Sequence, residues 1–110
     1  MDSVKLAEAA ADSATGNNQR AANAGNTVAM VNLGSLLANR INPPDLDGAR
    51  SWYHRAADAG NTDAMVNLGV LLESQFDPPK LAGARNWYQR AADVGHTEAM
   101  HNLGILAGVR

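Results

Sequence analysis

The sequence predicts an all-α protein, a solenoid of antiparallel helix pairs, and three observations predict it. First, the chain repeats itself. AANAGNTVAMVNLGSLLANRINPPDLDGARSWYHR (21–55) is followed at once by AADAGNTDAMVNLGVLLESQFDPPKLAGARNWYQR (56–90), and the two align without a gap with 23 of 35 residues identical. AADVGHTEAMHNLGILAGVR (91–110) starts a third copy. A period of this length belongs to stacked helix pairs. Second, the apolar residues in each copy recur at helical spacing. Third, each copy is broken midway by two adjacent prolines, Pro43-Pro44 and Pro78-Pro79. Such a pair cannot lie inside a helix but can open one. The 110 residues read as one repeat domain: about two and a half repeats (21–55, 56–90 and the half repeat 91–110) behind residues 1–20.

Taken in order, residues 1–20 are a degraded half-repeat or an N-terminal capping helix. The period puts Asn17-Asn18 where the later copies carry Trp-Tyr, and Gly16 is the expected break. In the second copy, helix A starts at Asn61, a good N-cap, with Asp63 facing the positive end of the helix dipole. Ala64, Met65, Leu68, Leu71 and Leu72 supply its apolar face, and it stops near Ser74. Helix B opens near Pro79 or Lys80 and carries Leu81, Ala84, Tyr88 and Ala91 on one stripe, widened by Trp87. Gly95 suits the left-handed residue beyond its end. In the first copy Asp45 is the natural cap of helix B, where the second copy has Lys80.

Within each A helix the triplet Asn-Leu-Gly returns, at 32–34, 67–69 and 102–104. A glycine inside a helix costs about 1 kcal/mol relative to alanine. Its recurrence at Gly34, Gly69 and Gly104 points to close helix–helix approach, with Trp52-Tyr53 and Trp87-Tyr88 of the B helices as the bulky partners.

Composition excludes several functions. The formal net charge is −2, so no basic field exists for nucleic acid. The chain has no cysteine, which removes disulfides and thiolate metal sites. No apolar stretch approaches the ~20 residues of a membrane helix. The N-terminal MDSVKLAEAAADSATG lacks a basic segment followed by an apolar run, so a secretion signal is not expected and a cytoplasmic location is the default. His96 and His101 lie five residues apart, about 140° around a helix, and with His54 they form no metal motif. Asp45 and Asp47 read as helix-start residues, and no serine has a nucleophile context. Neither an enzyme, a cofactor nor a metal site is expected.

The alternating A…NLG..L and A..WY.RAA..G.. elements resemble the Sel-one-like repeats, relatives of the tetratricopeptide repeats. The resemblance covers residues 21–110 and is carried best by the WYxRAAxxG segments at 52–60 and 87–95. It departs from the family at INPPD and FDPPK, where a glycine-rich turn is usual. The resemblance implies a right-handed superhelix and a non-catalytic role as a scaffold or adaptor for other proteins. It also implies a site. In the similar tetratricopeptide fold the residue before Leu-Gly faces the concave groove, which makes Asn32, Asn67 and Asn102 candidates for binding the backbone of an extended peptide. An amide both donates and accepts, as a peptide group does. Val31, Val66, His101, Asp63, Val70 and Ile105 would line the same groove. A second reading stands beside this one, that these asparagines bond a neighbouring helix or merely persist through duplication.

The third copy ends after its A helix, leaving Leu103, Leu106 and Val109, together with Ile105, without the B helix that would cover part of them. Two explanations stand side by side: the sequence is part of a longer repeat array, or the face packs against a second copy, which makes self-association into a homo-oligomer through these residues the alternative function.

Overall fold

A computed structural model of the chain describes residues 16–108. Among these residues there are six helices and no strand. They are α1 (helical over 16–23), α2 (Thr27–Asn39), α3 (Leu46–Asp58), α4 (Thr62–Ser74), α5 (Leu81–Asp93) and α6 (Thr97–Leu106). Gly16 is the first of the described helical residues. Residues 1–15 and Val109, which carry part of the expected cap and one expected self-association contact, fall outside the described residues. The chain divides into two compact units, one ending at Arg55 and the other beginning at Ala56.

In the first unit, Asn26 takes extended backbone angles and its side chain accepts from the Ala29 amide at 3.0 Å, which starts α2. The Asp45 side chain caps α3, accepting from the Gly48 amide at 2.8 Å. Between them the chain reverses, and the Asp45 amide returns to the Leu37 carbonyl at 2.8 Å. The Asn42–Pro43 peptide bond in this reversal is cis. Ala29, Met30, Leu33 and Gly34 form the buried side of α2.

The second unit repeats the scheme. Asn61 caps α4 by accepting from Ala64 at 3.0 Å, and the preceding Gly60 has φ +95°, a conformation only glycine adopts without strain. The Lys80 amide returns to the Leu72 carbonyl at 2.8 Å, and Asp77–Pro78 is cis. Lys80 makes no side-chain cap, consistent with lysine having no acceptor. Contacts pair residues that advance along α4 with residues that recede along α5: Leu72 meets Gly83, and Gly69 meets Tyr88. The two helices are therefore antiparallel. α6 packs back on α5. The core of the second unit is Ala64, Met65, Val66, Leu68, Leu71 and Leu72 of α4 with Ala84, Tyr88 and Ala91 of α5.

The expected close approach of helices is real at two of the three glycines, and the ring that fills it is tyrosine. A Cβ on Gly34 would stand 2.6 Å from the Tyr53 ring, and one on Gly69 would overlap the Tyr88 ring. Trp52 and Trp87 are not the core partners expected. One residue on is 100° around a helix, so each tryptophan sits half-buried beside its tyrosine, with the Arg55 or Arg90 guanidinium 4.6 or 4.4 Å over its ring. Leu81, placed on the buried stripe by spacing, is 46% exposed at the first turn of α5. Among the described residues, nothing lies within 4 Å of a Cβ on Gly104.

Tyr88 also donates to the Glu73 carboxylate at 2.7 Å, and Tyr53 shares a 2.8 Å hydrogen bond with Ser35. Burial raises the pKa of both phenols; at Tyr88 the Glu73 bond and the charges of Glu73 and Glu98 push further the same way, whereas at Tyr53 Ser35 opposes the shift. A raised folded pKa means that the unfolded chain loses its proton first, near pH 10. The stabilisation is complete below that pH and declines as pH rises toward the folded value. The urea midpoint is expected to fall between pH 9 and pH 11, and Tyr88→Phe to fall less steeply. Parallel slopes would contradict the assignment.

Candidate partner-binding surfaces

On α2 the residues at helical spacing Asn32, Ser35, Leu36 and Asn39, with Arg40 at the C-cap, lie to one side of the buried Met30, Leu33 and Gly34. With Asn18 of α1 they line a cleft of about 310 Å³ in the first unit, open to solvent. Its lining holds three carboxamides, a hydroxyl and a guanidinium around one leucine, and no carboxylate. Amides and a hydroxyl can each give and take a hydrogen bond, and a guanidinium gives several in a plane. The arrangement suits polar backbone and a negative group rather than an apolar ligand. Ser35 is already held by Tyr53, which fixes one wall.

Of the residues expected in the groove, Asn32 is thus exposed and in a cleft, with the half-buried Val31 next to it. In the second unit Asn67 and Asn102 are half-buried, and Val70 and Ile105 are exposed, 41% and 55%. His101 is exposed as well. Val66 is a correction: at 2% exposure it belongs to the core and offers no surface to a ligand. Asp63 is exposed and accepts or shares a 2.9 Å contact with His96 Nε2. His96 stands at the cap position of α6 with backbone angles close to those of Asn26 and Asn61, yet its side chain makes no cap bond and turns to Asp63 instead.

Spacing did not reveal the cleft partners Asn18, Asn39 and Arg40. The signal available was the period itself, because Asn18 occupies the register of Tyr53 and Tyr88 and puts a short amide where later copies have a ring. Among the described residues no group of His, Asp or Glu side chains could hold a metal ion, and no helix is long and apolar enough to cross a membrane.

Thirteen-residue helices in antiparallel pairs, with a ring set over a glycine in each pair, define a helical repeat protein of the tetratricopeptide-like solenoid class. The sequence model of the Sel1 repeat matches residues 27–61 and 62–96, and the chain belongs to the Sel1 repeat family. No curated protein and no solved structure matches the chain. Sel1 repeats generally mediate protein–protein interactions and are generally non-catalytic.

Proposed function

We propose that this chain is a protein–protein interaction scaffold that holds an extended segment of a partner on the face of its A helices, with Asn32, Asn67 and Asn102 bonding the partner's backbone. The observation that carries the reading is the cleft at Asn32, where amides, a hydroxyl and Arg40 converge on open space. Val31, Val70, Ile105, His101 and Asp63 add contact around the amides. The amides alone are not enough. Three net hydrogen bonds supply roughly 1.5–4.5 kcal/mol, whereas even millimolar affinity requires about 4.1 kcal/mol. Specific binding therefore draws on Arg40 and the apolar neighbours.

A peptide selected from a random library on the wild-type chain provides the test. Asn32→Ala is expected to weaken it roughly 2- to 12-fold, the equivalent of one hydrogen bond of about 0.5–1.5 kcal/mol, with the melting temperature unchanged. Unaltered affinity accompanied by a drop in melting temperature would make Asn32 a structural residue.

Self-association is the second reading. It is favoured by the exposure of Met100 (48%) and Ile105 (55%) on α6, beside the half-buried Leu103 and Leu106. Light scattering at micromolar concentration separates the two: a monomer that binds peptide supports the first, and a dimer dispersed by Leu103→Glu supports the second.

A further inference from the structure

In α2 and α4 the residue ahead of the first turn is an asparagine that caps it: Asn26 accepts from the Ala29 amide and Asn61 from the Ala64 amide, each at 3.0 Å. α6 has His96 there, with extended backbone angles (φ −72°, ψ 112°) and no side-chain cap bond. Its imidazole turns to α4, where Nε2 lies 2.9 Å from Asp63 Oδ1. A carboxylate only accepts, so Nε2 carries the hydrogen and donates. The other ring nitrogen, Nδ1, is buried with no hydrogen-bond partner among the described residues. The arrangement thus gives up a helix cap and leaves a buried nitrogen unsatisfied, and both are destabilising. The bond gained does not offset them, because the Asp63 side chain is 78% exposed and contacts of that kind contribute little to stability. A local rule broken without a stabilising gain marks a functional position. What the bond does is fix a carboxylate. Asp63 stands in the first turn of α4, one helical turn before Asn67. One of its oxygens is held by His96 while the side chain stays open to water, so its freedom is reduced before any ligand arrives. Neither α4 nor α6 carries a lysine or arginine to compete for it.

We propose that His96 is a positioning residue for the groove, holding the Asp63 carboxylate ready for a lysine or arginine of the bound segment. This role rests on the groove reading and adds to it the charge of the partner. The probes are a peptide selected from a random library on the full wild-type chain and its counterpart with every Lys and Arg replaced by Gln. The selected peptide is expected to contain Lys or Arg and to bind roughly fivefold more tightly than its counterpart, the scale of one charge-assisted contact at an exposed site. Asp63→Asn should bring the two affinities together. His96→Asn should lower the preference to roughly twofold. The same variant should melt about 2–6 °C higher, because asparagine can cap α6 as it caps α2 and α4. A purely structural histidine would give the reverse, a lower melting temperature with the preference intact. Asn67→Ala should weaken both peptides alike, so that the amides and the carboxylate are read separately. Equal binding of the two peptides by the wild type, a full preference in His96→Asn, or a His96→Asn chain that melts no higher would each overturn the positioning role. The groove reading survives any of these if Asn67→Ala still weakens both peptides. If the library yields no binder, the groove and this use of Asp63 fall together.

Discussion

Tyr88→Ala is expected to lower the unfolding free energy by about 3–5 kcal/mol, the range for removing a large buried aromatic side chain. Tyr88 is fully buried, its ring lies on Gly69, and its hydroxyl ties α5 to Glu73 of α4. The substitution leaves a cavity that helix backbones cannot readily close, because they are held by the turn at Lys80 and Leu72. Trp87→Ala, one residue away, removes a larger side chain but only a half-buried one stacked under Arg90. Its loss should be smaller, about 1–2 kcal/mol. Chemical denaturation of the two variants gives the order directly. A greater loss at Trp87 would show that the wrong ring has been assigned to the core.

The second large effect is a difference of sign at equivalent positions. Gly69→Ala is expected to destabilise by about 1–3 kcal/mol, the usual consequence of overpacking, because the new methyl would overlap a ring that has no free space to enter. Gly104→Ala is expected to stabilise by up to about 1 kcal/mol, since alanine is the better helix former and none of the described residues lies within 4 Å of the added carbon. The same triplet and the same substitution thus give opposite results, decided by whether a tyrosine covers the glycine. Thermal denaturation of the two variants checks both.

The period made most of the fold legible. Asn61 as a cap, Asp45 as a cap and the paired prolines as a helix break each act through local backbone chemistry, and each is where spacing placed it. Glycine recurrence revealed that helices meet closely, but not which of two adjacent aromatic residues does the filling, because Trp and Tyr side by side satisfy the same apolar pattern. Only packing separates them. Val66 is ambiguous in the sequence for a related reason: valine at the edge of an apolar stripe serves either a core or a groove, and here it is buried. The cleft was less legible still. Asn18, Asn39 and Arg40 come from two helices and share no motif, so only the packing of α1 against α2 makes them neighbours. Gly104 carries the opposite lesson, for an identical triplet does not guarantee an identical environment when its covering helix is absent from the described residues.

A double-mutant cycle between positions 69 and 88 shows most directly whether a tyrosine seated on a glycine locks each helix pair. Gly69→Ala is measured in the wild type and again with Tyr88→Leu, which removes the ring but keeps an apolar side chain in the core. Destabilisation is expected in the first background and neutrality or slight stabilisation in the second, a coupling of about 1–3 kcal/mol. The same loss in both backgrounds would show that the ring and the glycine do not act on each other.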